Sequence, residues 1–212
     1  MTRSVFARWI PAALVALAAL WTLTAQAADA AAGKAAYAVC AACHGAQGEG
    51  NRAMNAPAIG GQDAWYGKRQ LEAYRTGLRG TAPGDMYGAQ MRPMSMTVTD
   101  PVAIDNLVAY IAGLPVATPE ITVQGDAAAG KAAYAVCAAC HGAAAQGNEQ
   151  MGGPRLTGQS DWYLVRQIQN YQKNLRGYDP KDVYGNQMKP MASTLASEQA
   201  INDVVAYINT LR

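Results

Sequence analysis

Histidine, cysteine and phenylalanine are scarce in this chain of 212 residues, which holds two, four and one of them respectively. Each scarcity excludes something. Two histidines leave no spare imidazole for acid–base work once both are assigned, and four cysteines are too few for a disulfide-dense scaffold. Charged side chains make up 15% of the chain and the formal charge is +2, so no basic footprint for nucleic acid is present. No segment alternates apolar and polar residues as a half-buried strand does, and Gly and Pro gather between stretches of helical period. The long apolar run is N-terminal, from Pro11 to Leu23, behind Arg3 and Arg8 and ahead of Ala25-Gln26-Ala27. That is the order of an export signal, and cleavage is expected near Ala27. The run is shorter than the about 20 apolar residues of a spanning helix. Residues 1–27 are therefore read as a signal peptide and the rest of the chain as periplasmic.

What is abundant is repetition. Ala31 to Gly45 recurs unchanged as Ala128 to Gly142, an offset of 97, and residues 31–114 share 46 of 84 positions with residues 128–211. One unit has been duplicated, and each copy is near the lower size at which a core sustains itself. The expected organisation is a first module over 28–116, a linker over 117–127 and a second module over 128–212. The boundary rests on Pro115 and Pro119 in a stretch without helical period.

Within a copy, an Ala-rich helix runs from Ala30 into Cys40, a second spans Ala64 to Thr76, and a last one begins with Asp100 as cap and Pro101 in its first turn. Ser197 or a residue just before it starts the counterpart of the last helix. Tyr37 and Tyr110, with Tyr134 and Tyr207, are expected to pack the first helix against the last. Both modules read as all-α.

All four cysteines and both histidines fall in two short motifs, Cys40-Ala-Ala-Cys43-His44 and Cys137-Ala-Ala-Cys140-His141. This spacing is the attachment pattern of haem c. Two thiols on one helical turn reach neighbouring vinyl groups of a porphyrin, and the next residue presents an imidazole to the iron. A thioredoxin-like pair, a zinc site and two disulfides are the competing readings. The inventory argues against all three, because no further ligands and no βαβ pattern accompany the motifs. Two covalent haem c groups are expected.

Histidine fills one axial position, and no histidine remains for the other. Each copy carries a methionine pair ahead of its last helix, Met91-Arg-Pro-Met94 and Met188-Lys-Pro-Met191, read as lying in a loop. One methionine of each pair is expected to complete the iron. A thioether favours the reduced metal and closes the site to oxygen and peroxide, which suits a carrier. The basic residues that recur at the 97 offset, Lys34 and Lys131, Arg79 and Arg176, Arg92 and Lys189, are read as solvated charges.

These residues resemble the dihaem cytochrome c4 type within the class I cytochromes c. Beyond the attachment motifs, the resemblance rests on Pro57-Ala-Ile-Gly-Gly-Gln62 and Pro154-Arg-Leu-Thr-Gly-Gln159, each followed by Trp-Tyr, and on last helices ending Val-Ala-Tyr-Ile. It covers nearly all of the chain after the signal. It implies two tandem class I cytochrome c modules, Met91 and Met188 as the ligands, and hydrogen bonds from His44 to the Pro57 carbonyl and from His141 to that of Pro154. A pattern in single-haem relatives selects Met94 and Met191 instead. The implied function is single-electron transfer between a redox protein donor and acceptor of a respiratory chain, without a small-molecule substrate. A subunit fixed to a dehydrogenase or terminal oxidase is the alternative. A dihaem peroxidase fits less well, because it needs an open iron and an acid or base beside it.

Overall fold

The computed structural model describes residues 28–98 and 100–212, so the stretch read as an export signal, 1–27, lies outside the described residues. Among the described residues, eight helices fall into two sets of four. The first module holds α1 (Ala30–His44), α2 (Ala64–Thr76), α3 (Met86–Ser95) and α4 (Pro101–Gly113). The second holds α5 (Ala127–His141), α6 (Asp161–Gln172), α7 (Val183–Ser193) and α8 (Glu198–Asn209). Among the described residues, β pairing is limited to the isolated bridges Asn51–Ala56 and Asn148–Gly153.

Local chemistry sets the helix ends. Asp29 accepts the Ala31 and Ala32 N–H groups ahead of α1, and Asp126 does the same for α5. Asp100 and Ser197 cap α4 and α8. The first and last helices of each module cross at glycine. A side chain at Gly33 would collide with the Asn106 carbonyl on α4, and one at Gly130 with the Asp203 carbonyl on α8. Next to each crossing a tyrosine pair closes the seam, Tyr37 on Tyr110 at 5.3 Å and Tyr134 on Tyr207 at 5.4 Å between ring centres. Ile104, Leu107, Val108 and Ile111 of α4 form the first core with Tyr37 and Val98. Ile201, Val204, Val205 and Ile208 of α8 form the second with Tyr134, Leu164 and Leu195.

One expectation is corrected here. The methionine pairs do not lie in loops, because α3 carries Met91 and Met94 and α7 carries Met188 and Met191. Asp85 and Asp182 start these helices by accepting the N–H of Gly88 and Gly185. Pro93 and Pro190 sit in the last turn, where the missing N–H shortens the helix without preventing it.

The linker is strapped to the second module. The carboxylate of Asp161, fully enclosed, accepts the backbone N–H of Thr122 and of Val123 and the Thr122 hydroxyl. The Asn209 amide adds a longer bond from α8. Burial pushes this carboxyl up, but the donors from Val123, Thr122 and Trp162 outweigh it and hold it below its ordinary value. Asp161→Ala strands the backbone donors of Thr122, Val123 and Trp162 and is expected to cost about 2–4 kcal/mol at neutral pH. With a depressed folded value, the stabilisation is present above the unfolded carboxylate value of about 3.9 and is lost as pH falls through the folded one. Urea unfolding of wild type and variant should therefore converge in acid. A gap that stays constant on acidification removes the carboxylate's role.

Candidate haem sites

Each attachment motif ends the first helix of its module. Gly45 terminates α1 with φ of 86°, a conformation that suits glycine, and the Tyr37 hydroxyl donates to its carbonyl at 2.6 Å. Gly142 and Tyr134 repeat this at 2.8 Å. The loop beyond folds back so that the Gly50 N–H meets the His44 carbonyl at 2.7 Å and Pro57 comes to lie beside the imidazole.

Both histidines are buried, and their Nδ1 atoms stand 2.8 Å from the carbonyl oxygens of Pro57 and Pro154. A carbonyl only accepts, so Nδ1 carries the hydrogen and Nε2 keeps its lone pair. Burial lowers the pKa of His44 against the opposing pull of the Pro57 carbonyl, and burial does the same at His141, where Arg176 adds to it. Neutral imidazole with a fixed tautomer is the form that ligates a metal. The carbonyl bonds that the family resemblance implied are thus present in both modules.

A cavity of about 700 Å³ runs through both modules. Cys40, Cys43 and His44 line it from α1 and Met91 and Met94 from α3, with Cys137, Cys140, His141, Met188 and Met191 in the second module. Apolar Leu71, Val98, Leu107 and Val108 wall the first half, and Leu164, Ile168, Leu195 and Val204 the second. The cysteines form no disulfide, and burial raises the pKa of Cys40 and Cys137, which keeps them as thiols. Arg69 lines the cavity as well, and its buried Nε has no acceptor among the described residues. This is the donor set and the space that a porphyrin with anionic edge groups requires. The residues fit haem c.

The two modules meet across a pseudo-two-fold interface that the repeat generates. Arg69 stacks on the Tyr184 ring at 4.1 Å and donates to the Gly152 carbonyl at 2.7 Å. Its counterpart Arg166 stacks on Tyr87 at 4.1 Å and donates to Asn55 at 2.6 Å. An ion pair between Arg155 and Asp63 at 2.8 Å has no repeat equivalent, since Ala58 and Ser160 occupy the matching positions.

Arg79 and Arg176 overturn a second expectation, because they are 9% and 8% exposed rather than solvated. They lie at this interface with Gln70, Gln167, Tyr66 and Tyr163, none of which the sequence marked as functional. Their signal was available. Each recurs at the offset of 97, in contrast with many of the positions around it.

Paired thiols one helical turn apart, beside a carbonyl-locked imidazole on an apolar cavity of an all-α module, define a c-type cytochrome, here with two covalent haem groups. A family model for cytochrome c matches residues 30–115 and again 127–212. The chain is 31% identical over 161 residues to a thiosulfate dehydrogenase electron acceptor of Stutzerimonas stutzeri strain A1501, covering 70% of this chain and 69% of that protein. It is 30% identical over 176 residues to cytochrome c4 of Azotobacter vinelandii, covering 77% and 80%. The crystal structure of reduced recombinant cytochrome c4 from Pseudomonas stutzeri superposes with a TM-score of 0.67 at 26% identity, over 88% of this chain and 100% of that one. The chain belongs to the cytochrome c family and is a dihaem electron carrier of the cytochrome c4 type.

Proposed function

We propose that the chain is a periplasmic carrier that passes single electrons between redox proteins through two haem groups, each held by histidine and methionine, and that it performs no substrate chemistry. The observation that carries this reading is the doubled donor set, with a fixed imidazole and a methionine pair on each half of one apolar cavity. Haem c supplies a one-electron iron couple when bound.

The chain's residues do the rest. Thiols at Cys40, Cys43, Cys137 and Cys140 fasten the group, so that it is not lost between partners. The Pro57 and Pro154 carbonyls fix the imidazole planes and raise their basicity. A methionine thioether is soft and neutral, and it biases the site toward the reduced state while closing it to small ligands. Apolar walls exclude water and limit reorganisation.

Val39 and Met54 beside the first attachment motif, and Val136 and Met151 beside the second, line the cavity and are exposed. They give each module an apolar rim at which a redox partner can dock. The kinship with a thiosulfate dehydrogenase electron acceptor supports a dehydrogenase as donor, with a terminal oxidase or reductase as the class of acceptor.

The test is the visible spectrum of the export-matured protein, oxidised and reduced, with haem counted per chain and carbon monoxide added to the reduced form. Two low-spin haems that ignore carbon monoxide are expected. A carbon monoxide adduct on either haem of the native protein means an open iron and replaces the carrier by an enzyme.

A further inference from the structure

The peptide bond between Pro57 and Ala58 is held at both of its polar ends. Its carbonyl accepts the His44 Nδ1–H at 2.8 Å, and its N–H donates to the hydroxyl oxygen of Ser160, in the second module, at 3.3 Å. Imidazole, peptide and hydroxyl thus form one head-to-tail chain of hydrogen bonds that crosses the module interface. His44, Ala58 and Ser160 are all buried. Gln159 completes the grip, because its amide N–H donates to the Ala58 carbonyl at 2.9 Å and its side-chain oxygen accepts the Ser160 N–H at 2.8 Å.

Ser160 stands at the N-terminal end of α6, where a serine ordinarily turns its hydroxyl on the N–H groups of the first helical turn. Ser197 does so ahead of α8, accepting the Ala200 N–H. The Ser160 hydroxyl makes no such bond and is turned across the interface to Ala58 instead. The repeat does not reproduce this arrangement. At the offset of 97 the positions of Ala58 and Ser160 hold Arg155 and Asp63, whose side chains pair with each other at 2.8 Å. The two modules therefore share the histidine and the proline carbonyl but differ in the contact behind the peptide.

Hydrogen bonds in a chain polarise one another. An oxygen that accepts the Ala58 N–H leaves more negative charge on the Pro57 carbonyl, which then draws the Nδ1 hydrogen more strongly and makes the imidazole a stronger electron donor at Nε2. A stronger donor favours the oxidised metal. Given the histidine-ligated haems of the proposed function, on which this step rests, we infer that Ser160 is a positioning residue for the first haem: it acts on His44 from the opposite module, through the Pro57–Ala58 peptide, and lowers the potential of that haem alone. Two sites built from nearly the same residues are thereby set apart by one hydroxyl.

The experiment uses the mature dihaem protein as wild type, Ser160→Ala and Ser160→Thr. The chain's two histidines, labelled with nitrogen-15, give one ring N–H signal per module in the reduced protein. Each haem's midpoint is followed through its own methyl resonances during a redox titration, with the far-red sulfur-to-iron charge-transfer band recorded alongside. Ser160→Ala should raise the midpoint of the first haem and move the His44 Nδ1–H signal upfield, as a weakened hydrogen bond does, while the second haem and His141 stay put. Ser160→Thr, which keeps the hydroxyl, should restore both values. A first midpoint or a His44 signal that does not respond to Ser160→Ala overturns the assignment. So does a shift of both haems together, which leaves the hydroxyl holding the interface and nothing more. Loss of the far-red band in wild type is a separate failure, since it strikes the methionine ligation and leaves both histidine signals readable.

Discussion

Replacing Cys40 and Cys43 with serine is expected to yield a chain carrying one haem instead of two, with a first module that does not hold its fold. The reason is volume. The cavity of about 700 Å³ is shared between two modules, and native interiors tolerate only small voids. Leaving half of it empty, at about 24 cal/mol per Å³, is a penalty on the order of 8 kcal/mol, comparable with the whole stability of a small domain. Helical propensity does not offset that, because α1 to α4 owe their order to packing around this space.

The second module should be disturbed but not lost. Its own core of Ile201, Val204, Val205 and Ile208 is separate from the first, while the bonds from Arg176 to Gln70 and Tyr66 disappear with their partners. Intact-mass analysis of haem per chain, with circular dichroism on heating, checks this. One haem, about half the helical signal and a single remaining transition are expected. Two haems per chain, or undiminished helix, contradicts it.

The sequence was most legible where local chemistry decides the outcome. The bounds Ala64 and Thr76, the Asp100 cap and the Ser197 cap all agree with the structure, because capping and apolar period are short-range signals. The attachment motifs were readable for a similar reason, since five consecutive residues carry the chemistry. The methionine helices were not legible. Gly88 and Pro93 on α3 look like loop residues in sequence, and only packing against α2 makes a ten-residue helix worthwhile.

Charge was misread for a different reason. Arg79 and Arg176 each stand between a leucine and a glycine just past the end of a helix, a context that gives no sign of burial, and burial of a guanidinium depends on partners supplied from the other module. The repeat showed that these residues recur but gave no sign of where they sit. Asp161 is the opposite case. Its counterpart at the offset of 97 is Ala64, so comparison of the copies marks a difference, yet the linker it grips exists only ahead of the second module.

The choice within each methionine pair is the second large effect. Met91 and Met94 are three residues apart on α3 and thus share a face, and both line the cavity. Met91 is the more enclosed, whereas Met94 is 36% exposed, and Met188 and Met191 repeat the contrast. The deeper thioether is the better placed to reach an iron held between α1 and the cavity wall, and this agrees with the family pattern that selects Met91 and Met188. Met91→Ala should open one iron of two. About half of the far-red charge-transfer band should vanish, reduced protein should bind one carbon monoxide per chain, and one midpoint potential should fall by on the order of 0.1 V or more, within the roughly 0.8 V over which axial ligands set haem potentials. Met94→Ala should leave the band and the closed iron intact and cost only packing. If the two variants exchange these behaviours, Met94 and Met191 take over the axial positions. The carrier survives that exchange, because either thioether closes the site, whereas a result in which neither variant opens an iron overturns the assignment of one fixed methionine to each iron.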